Sequence, residues 1–262
     1  MTPLVTIGLP VYNTEKYLAE CIESIKAQTL RDFEVIAILD CPTDHSAEIL
    51  RKHADSRFRI LENERNLGLA ATMNRALQEC STVYLARMDA DDKMYPERLR
   101  KQLDFMESHR DVDVLGTYAN TVDHQGRRIE QPFAFCSTPE DIREEFRTRT
   151  ALIHPTVMFR VERILKLGGY PLGLAEDSVL WLKALSCGYK FANLAEPLLD
   201  YRIHPTQSMS VKREISLSNL DRAYAEYGRQ IWGDRAPNFV SGSTRFERLR
   251  RRIKRNLKSL FA

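Results

Sequence analysis

The stretch Tyr84-Leu85-Ala86-Arg87-Met88-Asp89-Ala90-Asp91-Asp92 decides how this chain is interpreted. An apolar run from Val83 to Met88 stops at three carboxylates within four residues. Such a run predicts a buried strand whose carboxyl end delivers acidic side chains into a cleft, where open parallel sheets bind ligands. Three carboxylates this close repel one another unless a cation lies among them, and hard oxygen ligands suit Mg²⁺ or Mn²⁺.

A helix start is the alternative to a metal site at these acids. Asp91 or Asp92 could cap a helix that opens at Pro96-Glu97. A calcium-binding loop fits less well. Counted from the first acid, the positions that require Gly and Glu hold Met94 and Arg100.

Strand and helix patterns alternate on both sides of this stretch. Strand-like runs occur at residues 4–9, 33–39, 58–61 and 83–88, with helical patterns between them. This alternation predicts right-handed crossovers and a parallel sheet. After residue 110 the expected elements are a strand at 112–115, a hairpin at 120–130, a helix at 139–147, a strand at 157–160, a helix at 176–187 and two strands at 189–194 and 198–203.

Length and composition are those of an ordinary globular protein. The 262 residues are 43% apolar and 29% charged, enough for one large α/β domain with an appendage. The five cysteines are scattered without a CxxC pair, as in a reduced cytosolic protein. The N-terminus lacks a signal-peptide pattern, and no apolar stretch is long enough to cross a bilayer. We therefore expect a cytoplasmic protein, soluble or bound at a membrane surface.

Positive charge is concentrated in the last residues of the chain. The net charge is +3, but residues 245–262 hold eight Lys or Arg and one Glu, which leaves the remainder at −4. Apolar residues recur there at helical steps, at Phe246, Leu249, Ile253, Leu257 and Leu260. A basic amphipathic helix of this kind is typical of a segment lying on an anionic membrane surface. The alternative is a solvated terminal helix, and the acidic body argues against a nucleic-acid partner.

Loops after three of the predicted strands meet at one edge of the sheet. Pro10-Val11-Tyr12-Asn13 follows the first strand, Asp40 the second and the acidic stretch the fourth. A nucleoside diphosphate there would have a carboxylate for its base or ribose and a metal site for its phosphates. Neither GxxxxGK[ST] nor GxGxxG follows the first strand, so metal would neutralise the diphosphate.

Across residues 4–210 the chain resembles the family 2 glycosyltransferases of the GT-A fold. The motifs that carry the resemblance are Val5-Thr6-Ile7-Gly8-Leu9-Pro10-Val11-Tyr12-Asn13, Asp40 through Asp44, Asn66-x-Gly68-x-Ala70-x-x-x-Asn74, Asp89-Ala90-Asp91-Asp92, Gly169-Tyr170, Glu176-Asp177 and Tyr201-Arg202-x-His204. The resemblance implies an α/β fold with a Rossmann-like, mostly parallel central sheet flanked by helices, and a C-terminal helical extension. It is closest to bacterial enzymes that build exopolysaccharide and lipopolysaccharide.

The resemblance implies which residues hold the donor, a nucleotide sugar and most simply a UDP-sugar. Asp40 would hydrogen-bond the uracil or ribose, Tyr12 would lie near the base, and Asp89 would touch the ribose. The other residues expected at the donor are Pro10, Asn13, Asn66, Asn74, Ala90 and Asp91. The family often has two adjacent acids after the second strand, and Leu39 stands at the first of these positions here.

The resemblance also implies the metal ligands and the base. Asp91 and His204 would bind Mn²⁺ or Mg²⁺, although a histidine before proline is also common in plain loops. Asp177 would be the general base, with Glu176 and Asp92 on the acceptor side. Without the resemblance, a charge that complements the amino-terminal end of a helix would be the simpler interpretation of Asp177.

The implied activity is inverting, metal-dependent transfer of a sugar to a hydroxyl of a saccharide or lipid-linked acceptor in cell-surface polysaccharide synthesis. We expect residues 1–210 to form the transferase domain, with a nucleotide-binding half at 1–116 and an acceptor-binding half at 117–210. Residues 211–262 would form the helical extension, whose basic tail would hold the enzyme at the inner face of the cell membrane. The alternatives are a nucleotidyltransferase, or an inactive scaffold that binds a metal nucleotide at the membrane.

Overall fold

A computed structural model describes residues 3–129, 135–204 and 213–237 of the chain, which form one mixed sheet with helices on both faces. The strands are β1 (Val5–Val11), β2 (Phe33–Leu39), β3 (Phe58–Glu62), β4 (Tyr84–Arg87), β5 (Lys93–Met94), β6 (Val114–Val122), β7 (Met158–Arg160) and β8 (Phe191–Arg202). The helices are α1 (Leu18–Lys26), α2 (Ser46–His53), α3 (Leu69–Glu79), α4 (Arg98–Ser108), α5 (Pro139–Glu145), α6 (Val161–Lys166), α7 (Glu176–Ser186) and α8 (Arg213–Trp232).

The first four strands are parallel and lie in the order β3-β2-β1-β4. A helix connects each strand to the next, as the alternating sequence pattern predicted. β1 and β2 are buried along nearly their whole length because helices cover both faces of the sheet. The carboxyl ends of these strands therefore meet at one edge, where the predicted site loops begin.

The second half of the sheet mixes strand directions. β7 runs antiparallel between β4 and β6, and β8 runs parallel to β6 and antiparallel to the edge strand β5. Two predictions are corrected here. The strand expected at 112–115 extends to Val122, and the two strands expected at 189–194 and 198–203 are the single strand β8. The register of β6 on β8 shifts around Tyr118, and this irregularity accommodates Pro197 within the strand.

Two apolar cores lie on opposite faces of the sheet. Consecutive residues of β2 alternate between them, with Val35 and Ala37 in one core and Ile36 and Ile38 in the other. Helices α1, α2 and α4 cover the first face, and α3, α5, α6, α7 and α8 cover the second. Helices α3 and α7, which carry predicted site residues, are thus held on the same side of the sheet.

The C-terminal helical extension is represented by α8, which packs against α7. The basic stripe at 245–262 lies outside the described residues. Within the residues that the structure does describe, no helix is both long and apolar enough to cross a bilayer.

Candidate active site

Three carboxylates meet directly after β4. One oxygen each from Asp89, Asp91 and Asp92 lies within 4.8 Å of the other two, and the described chain holds no other such cluster of three acidic, histidine or cysteine ligands. The capping alternative is wrong, because α4 begins at Arg98 and its N-cap position is Glu97. The loop therefore presents its acids to each other and to β8 instead of to a helix.

The end of β8 completes this acidic cluster. His204 Nε2 lies 2.8 Å from Asp91 Oδ2, although 113 residues separate the two in sequence. The Arg202 backbone N–H donates to Asp92 Oδ1 at 2.8 Å, and Arg202 Nε donates to the Asp91 carbonyl at 2.8 Å. The structure thus brings the predicted late histidine to the predicted metal-binding acid.

Arg202 also ties the cluster to helix α1. Its Nη2 donates to Glu20 Oε2 at 2.7 Å, and its guanidinium lies 4.7 Å from the centre of the Tyr17 ring. The Tyr17 ring is 5.2 Å from the ring of His204. Sequence reasoning missed Tyr17 and Glu20, because on a helical pattern they look like one core residue and one solvated acid.

The oxygen atoms of the cluster fit a small divalent cation. Asp92 is only 1% exposed, and its Oδ2 finds no hydrogen-bond partner among the described residues. A buried carboxylate oxygen without a partner is costly, and a cation beside it would supply the missing interaction. Carboxylate oxygens with one imidazole suit Mg²⁺ or Mn²⁺. The prediction of Asp92 as an acceptor-side residue stays a prediction, and its burial beside Asp91 favours a role at the metal instead.

Burial and mutual repulsion raise the pKa values of two carboxyls of the cluster. Burial raises the pKa of Asp92 well above its ordinary value, and the charges of Asp91 and Asp89 raise it further. Burial also raises the pKa of Asp89, although its ion pair with the buried Arg87 opposes this. Arg98 lies buried beside Arg87, donates to the Arg87 carbonyl at 2.8 Å, and has its pKa lowered by burial to about 9. The charge of Arg87 therefore partly offsets the repulsion among these acids.

A second pair of carboxyls opens helix α7. Glu176 and Asp177 occupy its first turn, directly after Ala175 in the left-handed conformation at φ 61°. Burial raises the pKa of Asp177, although a hydrogen bond from the Ser178 backbone N–H opposes this. Burial and the charge of Asp177 together raise the pKa of Glu176 to about 7, so Glu176 is only partly ionised at neutral pH.

This pair and the acidic cluster act on each other electrostatically. The charge of Asp177 raises the pKa of Asp89, and the charge of Arg87 lowers the pKa values of both Asp177 and Glu176. The acidic cluster and the predicted base Asp177 therefore interact electrostatically through Asp89 and Arg87. Sequence reasoning missed Arg87 as part of it, because an arginine within an apolar run carries no pattern of its own.

The loop after β1 presents exposed donor candidates at the same edge of the sheet. Pro10 is half-buried and Val11 is buried at the end of β1, whereas Tyr12 directly after them is 46% exposed. Asn13 adopts φ 49° and its side chain is fixed by Thr43, whose backbone N–H donates to Asn13 Oδ1 at 2.8 Å. This pairing joins the loop after β1 to the loop after β2.

Asp40 lies buried at the end of β2 and holds the loop before α3. Its Oδ1 accepts from Asn63 Nδ2 at 2.7 Å and from the Leu67 N–H at 2.8 Å, and its Oδ2 accepts from the Gly68 N–H at 2.9 Å. Asn66 on this loop is exposed. Contacts of Asp40 and Asn66 with a nucleotide remain predictions, and the structure adds that Asp40 shapes the loop.

Two other residues predicted at the donor, Ala90 and Asn74, make their side-chain contacts inside the protein. Ala90 is buried within the acidic loop, so only its backbone could meet a ligand. Asn74 Oδ1 accepts from the Tyr170 N–H at 2.7 Å, and Asn74 Nδ2 donates to the Tyr170 carbonyl at 2.8 Å. The amide of Asn74 is therefore used by the Tyr170 backbone, and its contact with a donor stays a prediction.

Comparison with known sequences finds one family. A family model described as glycosyl transferase family 2 matches residues 6–168. An uncharacterized glycosyltransferase of Methanocaldococcus jannaschii is 37% identical over 207 residues, which cover 77% of this chain and 71% of that protein. The amylovoran biosynthesis glycosyltransferase AmsE of Erwinia amylovora is 30% identical over 234 residues, covering 85% and 87%.

Solved structures share the fold at low sequence identity. TarS 1–349 of S. aureus, in complex with UDP-GlcNAc, matches with a TM-score of 0.72 and 23% identity, over 87% of this chain and 66% of that chain. A mannosyltransferase from Pyrobaculum calidifontis, in complex with GDP-Man and Mn²⁺, matches with a TM-score of 0.65 and 18% identity, over 95% and 68%. The chain thus spans about two thirds of the length of these solved chains, and the GT-A fold prediction is confirmed.

Proposed function

We propose, on the premise that this chain belongs to glycosyltransferase family 2, that it is an inverting, metal-dependent enzyme that transfers a sugar from a nucleotide sugar to an acceptor hydroxyl. The observation that carries the proposal is the acidic cluster after β4, where His204 Nε2 lies 2.8 Å from Asp91 Oδ2. This cluster, which has an unpartnered buried oxygen on Asp92, interacts electrostatically with Asp177 of the Glu176–Asp177 pair. Such a site can neutralise a diphosphate at one end and accept a proton at the other.

The metal would be held by Asp91 and His204, with Asp89 and Asp92 beside them. A divalent cation, when bound, supplies Lewis-acid stabilisation of the charge that grows on the leaving diphosphate. The 2.8 Å contact between His204 Nε2 and Asp91 Oδ2 supports this assignment, because two ligands of one ion must lie close together. Arg202 would hold both ligand-bearing segments in place through its contacts with Asp91, Asp92 and Glu20.

Asp177 would act as the general base. The acceptor oxygen forms a bond to the anomeric carbon while the bond from that carbon to the diphosphate breaks, and Asp177 takes the hydroxyl proton. A raised pKa makes Asp177 a stronger base than an ordinary aspartate, and such catalysis is typically worth about 10²–10⁴ in rate. A single displacement, without an enzyme nucleophile, inverts the anomeric carbon. Glu176, partly protonated near pH 7, could donate a hydrogen bond to the acceptor.

For the donor we propose a UDP-sugar held by residues 1–116. The exposed loop at Tyr12 and Asn13 and the loop shaped by Asp40 support this, since they flank the acidic cluster at the same sheet edge. The fold neighbours bind UDP-GlcNAc in one case and GDP-Man with Mn²⁺ in the other. The mannosyltransferase complex supports Mn²⁺ as the metal, and the two complexes make UDP and GDP the nucleotides to compare.

For the acceptor we propose a saccharide or lipid-linked saccharide held by residues 117–210, in the synthesis of a cell-surface polysaccharide. The amylovoran relative supports this class of product. We further propose that the basic segment 245–262 binds an anionic membrane surface on the cytoplasmic side. Placing the enzyme there would bring it to acceptors anchored in the same bilayer.

The test is the substitution Asp177→Asn, which keeps the size of the side chain and removes its basicity. We expect titration calorimetry to show unchanged affinity for UDP with Mn²⁺, while turnover of UDP-sugars falls by about 10²-fold or more. NMR of the sugar product reports inversion or retention. Wild-type turnover in Asp177→Asn would remove this residue as the base. A wild-type protein that binds UDP with Mn²⁺ but turns over no nucleotide sugar would favour an inactive scaffold.

A further inference from the structure

One side-chain amide joins the two halves of the transferase domain. Asn74 lies on α3, and its amide pairs with both the N–H and the carbonyl of Tyr170, at 2.7 and 2.8 Å. A side chain that satisfies both backbone groups of one residue fixes that residue much as a neighbouring strand would. The contact spans 96 residues of sequence.

Gly169 makes this contact possible. It adopts φ 77°, a left-handed conformation that side chains rarely tolerate, and a Cβ built on it would collide with Asn74 Oδ1. The glycine is therefore required twice, once for its backbone conformation and once for the close approach of the amide.

Tyr170 is anchored through its side chain as well. Its ring is buried, and its hydroxyl lies 3.0 Å from Nε2 of the buried His154. Asn74 therefore ties α3 to a residue that cannot easily shift.

The segment that follows Tyr170 leads directly to Glu176 and Asp177, the two carboxyl residues at the start of α7. Five residues, Pro171 to Ala175, separate Tyr170 from Glu176. Two further contacts hold the chain around this segment. Before it, the Leu167 carbonyl accepts from Lys183 Nζ at 2.7 Å, and within it the Leu174 carbonyl accepts from Asn219 Nδ2 at 3.0 Å. The start of α7 is thus positioned by three ties, and the Asn74 tie alone comes from the donor-side half.

We propose that Asn74 is a positioning residue that fixes the loop presenting Asp177 and Glu176 to the acceptor. The proposal rests on the proposed function, in which Asp177 is the base. It also links the base to the donor, because Gly68, the N-cap residue of α3, donates its N–H to Asp40 Oδ2 at 2.9 Å. Asn74 lies six residues further on, about 9 Å along the helix axis. Helix α3 thereby connects the donor-side loop to the base-carrying loop.

Three variants test the tie, with one control. Asn74→Ala removes both hydrogen bonds. Asn74→Asp keeps the size of the side chain and an acceptor for the Tyr170 N–H, but turns a carboxylate oxygen toward the Tyr170 carbonyl. Gly169→Ala breaks the same contact from the other side. Gln78→Ala removes an exposed amide from the same helix and serves as the matched control.

The first measurement separates positioning from donor binding. For Asn74→Ala and Asn74→Asp we expect kcat for UDP-sugar turnover to fall on the order of 10²-fold, since a displacement of about 1 Å costs that much. Affinity for UDP with Mn²⁺ should stay within about twofold of wild type, as in Gln78→Ala. The double variant Asn74→Ala/Gly169→Ala should lose no more than its worse single variant, because both act on one contact. A tenfold loss of UDP affinity in the Asn74 variants with kcat retained would show that Asn74 binds the donor, and would overturn the proposal. Wild-type kcat together with wild-type UDP affinity would overturn it as well.

The second measurement does not depend on activity. Amide hydrogen exchange of residues 168–178 should be faster in Asn74→Ala than in wild type, and unchanged in Gln78→Ala. Unchanged exchange there in Asn74→Ala overturns the tie. Asp177→Asn, measured alongside, separates failure of the proposed function from failure of the Asn74 proposal. Wild-type turnover in Asp177→Asn would show that Asp177 is not the base. Faster exchange in Asn74→Ala with unchanged kcat would show only that the Asn74 contact has no catalytic consequence.

Discussion

Replacing Glu176 by glutamine should stabilise the protein, and more so as the pH rises. The folded structure raises the pKa of this carboxyl from its ordinary 4.5 to about 7, chiefly by burial and then by the charge of Asp177. Below pH 4.5 the group is neutral in folded and unfolded chains alike. Between that value and pH 7 the unfolded chain loses the proton first, so the wild-type free energy of unfolding declines across this window.

The size of the effect follows from the same two values. A tenfold difference in proton affinity is worth about 1.4 kcal/mol, which sets an upper limit of about 3 kcal/mol above pH 7. The side chain keeps partial contact with water, and this screening reduces the expected gain to about 2 kcal/mol. Glu176→Gln keeps the shape of the side chain and removes its ionisation.

Urea denaturation at pH 5, 6, 7 and 8 measures the difference in unfolding free energy between variant and wild type. We expect the difference to be small at pH 5 and to grow to about 2 kcal/mol at pH 8. Glu64→Gln, at an exposed position before α3, controls for the loss of a surface charge. A difference that stays constant from pH 5 to pH 8, or shrinks as the pH rises, would refute the burial argument.

Three further predictions address the metal site and the tail. Asp91→Ala should abolish Mn²⁺-dependent binding of UDP, because it removes the acid that contacts His204; unchanged affinity by calorimetry would take Asp91 out of the metal site. Arg202→Lys should weaken Mn²⁺-dependent UDP binding by about tenfold, since lysine lacks the planar fork that reaches both the Asp91 carbonyl and Glu20. Arg100→Lys, at an exposed position, is the control, and equal UDP affinity in the two variants would contradict the prediction. Deleting residues 245–262 should release the protein from anionic liposomes and spare UDP binding, because each basic residue near the membrane surface contributes about 1 kcal/mol to membrane binding. Co-sedimentation with liposomes at low and high salt measures this, and equal pelleting of the full-length and truncated proteins would refute the membrane role.

The parallel half of the sheet could be predicted from the sequence because burial on both faces leaves a plain signal. β2 is a nearly continuous apolar run, and β4 is such a run ended by acids. The placement of the acids at one sheet edge followed from the topology of parallel strands. β5 was not predicted, since two residues carry no periodicity, and β8 was divided at Pro197 because a proline normally interrupts pairing.

The interior of the site escaped prediction for a different reason. Arg87 and Arg98 are fully buried, and arginine is rarely found there, so sequence reasoning places it at the surface. Asn74 was interpreted through its motif as a ligand contact, whereas its partner is a backbone segment 96 residues away. Contacts between distant segments leave no local pattern. Only the assembled fold shows which polar groups are used internally.

The position of β8 also bears on the order in which the protein assembles. β5, directly after the acidic loop, pairs only with β8 in the described sheet, and the backbone N–H that donates to Asp92 Oδ1 arrives 110 residues later at Arg202. During synthesis the amino-terminal strands can pair early, yet Asp91 and Asp92 gain their contacts with Arg202 and His204 only once the twelve residues of β8 are in place. Closing so long a span carries a large entropy cost, so we expect the acidic loop to order in a late folding step. A ribosome-bound chain that ends before residue 190 would therefore carry an ordered parallel half and an unfinished acidic loop.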